Sequence, residues 1–146
     1  MTTSYVDQAW AAAVPTMLAY VAFPARSPMF VPAWEEHCHL ARAARLLRDW
    51  AAARSIDGAT VELIERPGLT PVLLVEIPAT DESLADRTVL MYGHLDKQPE
   101  MLPWSDGLGP WTPVLRGERL YGRGGADDGY SIVAALPDGT RLEQDD

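Results

Sequence analysis

A short apolar run, Thr88, Val89, Leu90, Met91 and Tyr92, stops at Gly93 and leads at once into His94, Leu95 and Asp96. β-branched and apolar residues bounded by a glycine predict a strand, which puts His94 at its carboxyl end. In open α/β sheets that edge is where ligands and metals are held, because the loops leaving it carry polar groups while the strands behind them are rigid. Downstream, Gly122, Arg123, Gly124, Gly125 and Ala126 precede Asp127 and Asp128. Glycines let a backbone turn tightly enough to return Asp127 to the neighbourhood of His94. A chain written this way has to fold so that these two distant stretches meet.

The remaining sequence reads as support for that meeting. Val6, Trp10, Val14, Met17, Leu18 and Val21 recur at helical spacing and predict an amphipathic helix, although Pro15 interrupts the apolar run. Pro24, Pro28 and Pro32 make the next stretch a loop, and residues 33–54 predict a second helix. Its buried side is expected to be Leu40, Ala43, Ala44, Leu47, Trp50 and Ala51, with Arg42, Arg45, Arg48 and Asp49 mostly off it. From Ser55 the period shortens. The runs 61–64, 72–77 and 88–92 predict strands, with Pro67 and Gly68 turning between the first two and an acidic loop before the third. Residues 97–112 are too rich in turn-formers for an element, with Trp104 and Trp111 expected as packing anchors. Residues 113–121 predict a hairpin turned at Gly117.

Charge excludes some partners. Twelve Lys and Arg against twenty-one Asp and Glu leave a formal charge of -9, which repels nucleic acid and anionic membrane surfaces and suits cations. The apolar stretch 9–23 has no positive charge before it, unlike a secretory signal, and no run is long enough to span a bilayer. The lone Cys38 cannot form an internal disulfide, so a reducing, cytoplasmic setting is expected.

Among the polar clusters, His94 with Asp96 and an acid from the 127–128 pair best fits metal chemistry. Imidazole is a neutral ligand, one carboxylate adds charge, and a second commonly fixes the far ring nitrogen. Residues two apart on a strand end share a face, so Asp96 is expected to orient His94 instead of ligating beside it. Asp127 or Asp128 supplies the anionic ligand. The alternative is a turn capped by Asp side chains beside a surface histidine. His37, Cys38 and His39 look less suitable, because residues two apart on a helix point about 200° apart. Cys38 is expected to be an inert buried thiol. The sequence around Ser131 lacks the second glycine of a nucleophile elbow, and the glycines at 122, 124 and 125 do not make a dinucleotide fingerprint.

The stretches VLMYGHLDKQPEMLPW at 89–104 and LYGRGGADDGYS at 120–131 resemble the zinc-dependent exopeptidases of metallopeptidase family twenty. That family includes carboxypeptidase G, aminoacylases and carnosinase-like dipeptidases, and the wording here is nearest the dipeptidases. The likeness covers about residues 5–136. It implies an α/β fold: an incomplete three-layer zinc-exopeptidase-like catalytic domain, with two N-terminal helices followed by strands of a mixed sheet. His94 would bind one of two zinc ions, Asp96 would orient it, Asp127 would bridge both ions, and the peptide after Asp127 would be cis. The implied reaction is hydrolysis of amide bonds in small peptides or N-acyl amino acids.

Departures carry expectations too. The general-base glutamate, its neighbouring ligand glutamate, a further carboxylate and a final histidine of the family pattern are absent, and Gly129 stands where Lys is frequent. Residues 1–136 form the family-like part, while residues 137–146, opening with Pro137, Asp138 and Gly139, read as a tail without likeness, as in a truncated sequence. Taken alone, the chain is expected to bind zinc weakly, to leave part of its sheet uncovered and not to catalyse. The alternative function is a non-catalytic fragment or partner-binding protein.

Overall fold

The computed structural model describes residues 2–136, with side chains from residue 6 onward. The expected tail of residues 137–146 lies outside the described residues. The architecture is mixed α/β, with four helices and two small antiparallel sheets among the described residues.

Helix α1 (Thr2–Ala22) runs through Pro15, whose side chain is exposed, so its ring meets solvent instead of the core. Only its second half is packed: Ala13, Met17, Tyr20 and Val21 are buried, whereas Val6 and Trp10 are exposed. The apolar stripe is therefore longer than the surface available to cover it.

The second predicted helix is two helices. A short α2 (Trp34–His37) ends at Cys38, whose φ of 57° is left-handed, and α3 (His39–Ala52) starts afresh. The Cys38 N–H donates to the Glu35 carbonyl, closing α2 after one turn. Cys38 is exposed, not buried, because this kink turns it outward, and its Sγ lies 3.3 Å from the Glu35 carbonyl. On α3 the six residues expected to be buried are the ones that are. All but Ala44 belong to the core cluster against which Val61, Leu73 and Val75 of the first hairpin pack. Arg45 on the outer face forks onto Glu65 at 2.8 Å, an exposed pair worth at most about 1 kcal/mol.

That hairpin pairs β1 (Thr60–Arg66) with β2 (Leu69–Glu76), Val61 opposite Val75 and Leu63 opposite Leu73. Gly68 turns it with φ 74° and donates its N–H to Glu35 Oε1. The second hairpin pairs β3 (Val114–Arg116) with β4 (Arg119–Tyr121) and turns at Gly117, φ 59°. Between the hairpins, Asp81 caps a 3-10 turn (Glu82–Leu84) by accepting from the Ser83 N–H. A last short helix, α4 (Ser131–Ala135), buries Val133.

The third predicted strand is not formed. Val89, Leu90, Met91 and Tyr92 are 86, 90, 69 and 86% exposed, and the run has no ladder partner among the described residues. Composition favours an extended chain there, but a strand exists only where a neighbour closes its hydrogen bonds.

Candidate metal centre

The absence of that sheet does not scatter the predicted site. Residues 94–97 are held from behind by a parallel bridge between Arg26 and Lys97. The Lys97 N–H donates to the Ala25 carbonyl and the Ser27 N–H to the Lys97 carbonyl, both at 2.9 Å. The Tyr20 hydroxyl, from the last turn of α1, donates to the Leu95 carbonyl at 2.7 Å. Tyr20 is buried, which with the nearby Asp96, Asp128 and Asp127 pushes its pKa far up and keeps the hydroxyl a donor.

The glycine loop is drawn to the same place. Gly129 donates its N–H to the Gly124 carbonyl, closing the loop that presents Asp127 and Asp128, and the peptide joining these two is cis. A Cβ on Gly129 would lie 2.0 Å from Tyr20 Cε1, so only glycine allows this approach. Gly93 is under similar constraint, with a Cβ there 2.1 Å from Ser131 Oγ.

Three aspartate side chains consequently surround His94. Asp128 Oδ2 accepts from the His94 backbone N–H at 3.0 Å. Nδ1 of His94 lies 3.1 Å from both the carbonyl oxygen and Oδ1 of Asp96, while Nε2 faces Asp127 Oδ1 at 3.4 Å. The His94 and Asp127 side chains are 36 and 63% exposed, so the site is open to solvent. Partial burial disfavours the imidazolium. The bond to the Asp96 carbonyl and the charges of Asp96, Asp128 and Asp127 outweigh it, raising the pKa above the ordinary 6.5.

This arrangement fits a metal ion in one specific respect. With Nδ1–H spent on Asp96, a neutral His94 turns the Nε2 lone pair toward a carboxylate oxygen. Two acceptors so placed need a cation between them, either a proton or a metal. Two ligands of one tetrahedral zinc, each about 2.0–2.1 Å from it, lie about 3.3 Å apart. The observed separation meets that requirement. No group of three or more His, Cys, Asp and Glu side chains is arranged to hold an ion among the described residues, so the pair is a partial set.

The other histidine cluster departs from its expected geometry. Because the chain reverses at Cys38, the rings of His37 and His39 lie 5.8 Å apart instead of on opposite helix faces. They line a cleft with Arg26 and Trp34. Burial and the charges of His37, Arg42 and Arg26 lower the pKa of His39. Among the described residues no carboxylate bonds either ring, and Nδ1 of His39 is buried without a hydrogen-bond partner.

Two residues that hold the site were not singled out from the sequence. Tyr20 looked like one more position on an apolar helix, and Lys97 like a polar loop residue. One signal was available: α1 has no basic residue in its last turn to meet its free carbonyls.

No family model matches the chain. It is 31% identical over 135 residues to Beta-Ala-His dipeptidase of Mus musculus, covering 89% of this chain and 27% of that protein. The crystal structure of human carnosine dipeptidase 1 is 28% identical, with a TM-score of 0.59 over 91% of this chain and 28% of that one. The chain thus spans about a quarter of the length of these relatives. Both matches are to carnosine-type dipeptidases and cover only part of those proteins. Among the described residues no helix is long and apolar enough to cross a membrane.

Proposed function

We propose that the chain carries one part of a dizinc centre that hydrolyses the amide bond of dipeptides or N-acyl amino acids. The 3.4 Å approach of His94 Nε2 to Asp127 Oδ1 carries this reading, because a neutral imidazole nitrogen and a carboxylate oxygen so placed need a proton or a metal ion between them, and the spacing suits a metal. Homology to Beta-Ala-His dipeptidase supports the reaction class.

Each residue has a distinct task. His94 would hold an ion through Nε2, and Asp96, on Nδ1, fixes the tautomer that frees that nitrogen. Asp127 would supply negative charge to the same ion and would help hold a second. Asp128 binds the His94 backbone and keeps the two loops in register. When bound, zinc polarises the scissile carbonyl and makes water acidic enough to attack it. The proton must then pass to a base, and the carboxylates at this site are already engaged with His94. A glutamate would be the expected base, and the exposed 89–92 run is an uncovered apolar surface. We assign the family-like unit to residues 1–136 and, from the single cysteine, a cytoplasmic setting.

A calorimetric zinc titration tests the centre. One weakly held ion per chain is expected, lost in His94→Ala, with no hydrolysis of a β-alanyl-histidine dipeptide by the chain alone. Zinc binding that survives His94→Ala intact would refute the assignment.

A further inference from the structure

Lys97 is the most deeply buried charged residue described, at 1% exposure, and no carboxylate among the described residues answers it. Its partners are main-chain oxygens. Nζ donates to the carbonyls of Tyr20, Val21 and Phe23 at 2.8, 3.2 and 2.8 Å, one for each proton of an ammonium. These oxygens terminate α1, where the helix dipole is negative and no local cation caps it. Nζ also lies 4.1 Å from the Tyr20 ring centroid and 5.4 Å from that of Trp111. Burial lowers this amine to a pKa of about 7, while three acceptors at the negative helix end favour its protonated form.

The stem of the same side chain does a second job. A Cβ on Gly124 would lie 2.7, 2.8 and 2.8 Å from Cε, Cδ and Cγ of Lys97, so the lysine fills the space beside that glycine. Gly124 in turn accepts from Gly129 and closes the Asp127–Asp128 loop. One side chain therefore touches the end of α1, sits next to Asp96 in sequence and backs the loop carrying the acidic ligand.

We propose that Lys97 is a positioning residue: its ammonium pins the His94–Asp96 turn to the carboxyl end of α1 while its stem sets the Asp127–Asp128 loop against that turn. The cation is spent on main-chain oxygens at the end of α1 and acts through the separation of His94 and Asp127. This deepens the proposed metal centre and rests on it only where metal is the readout.

The test uses the 146-residue chain and two readouts. Amide hydrogen exchange followed by NMR reports the His94 N–H, whose acceptor is Asp128, against the ladder amides of β1 and β2. In Lys97→Met the His94 amide is expected to exchange at least about tenfold faster while the ladder amides hardly change. Equal acceleration of both sets, or none at His94, overturns the proposal. Should Lys97→Met fail to fold, Lys97→Gln, whose amide keeps two donors, gives the same comparison. Rescue separates charge from bulk. A Cys38→Ser, Lys97→Cys chain alkylated with 2-bromoethylamine while unfolded, then refolded, regains an ammonium of nearly lysine length and should recover protection at His94. Failure to recover it in the folded, alkylated chain would overturn the role of the ammonium. Cobalt titration supplies the metal readout: weaker binding and an altered visible spectrum are expected in Lys97→Met, and an unchanged spectrum and affinity overturn the proposal. If the unaltered chain binds no cobalt, the metal reading fails, and exchange at His94 still decides the role of Lys97.

Discussion

The two histidine clusters differ in what faces the rings. At His94 each ring nitrogen meets an aspartate, and the backbone N–H is held by a third. At His37 and His39 the rings face each other with Arg26 and Arg42 nearby, and His39 is pushed toward neutrality. Both neighbourhoods bring potential ligands close together. Only the first has the negative charge, and a carboxylate on the far ring nitrogen, that make proximity useful to a cation. Position explains the contrast: His94 lies where two loops are clamped together by α1, whereas His37 and His39 flank a kink at the surface.

The largest expected effect tests the clamp. Gly129→Ala forces a methyl into the Tyr20 ring and should cost about 3 kcal/mol, read as a lower melting midpoint. A change within about 0.5 kcal/mol would show that α1 and the aspartate loop are not in contact. Next comes the orienting carboxylate: Asp96→Asn should weaken zinc binding about tenfold or more, because the amide no longer fixes the ring as firmly. Equal affinity would remove Asp96 from the site.

Cys38→Gly probes the other cluster. It relieves a left-handed conformation and should stabilise the chain by about 1 kcal/mol in denaturant unfolding, without altering zinc affinity. Destabilisation would mean that the Cys38 side chain holds the kink.

Protonation sharpens the comparison further. In metal-free protein, NMR titration should find His94 above and His39 below the ordinary value of 6.5. The raised histidine contributes stability that is present below 6.5 and lost as pH rises through its folded pKa. The lowered one contributes in the opposite sense, with stability lost as pH falls below 6.5. The reverse order of titration would dissolve the distinction between the clusters. Smallest of all, His37→Ala should leave zinc affinity at the His94 site unchanged.

Much of this was legible in the sequence. Spacing located the buried face of α3, residue by residue, and turn chemistry located both hairpins, because these depend on neighbours within a few positions. The association of His94 and Asp96 was readable for the same reason. The break at Cys38 was not, since nothing in its residue type demands a left-handed backbone. Nor was the state of 88–92, where the residues favour an extended chain but the described structure offers no strand to pair with.

The sequence by itself determined the local elements, the negative charge and the two motifs that carry the aspartates and His94. Tertiary structure alone decided that Tyr20 and Lys97 hold those motifs together, and that His37 and His39 become neighbours. Periodicity describes which residues share a face of one element. It does not describe contacts across 75 or more positions, such as Tyr20 with Leu95 and Lys97 with the end of α1, which exist only once the chain has closed on itself.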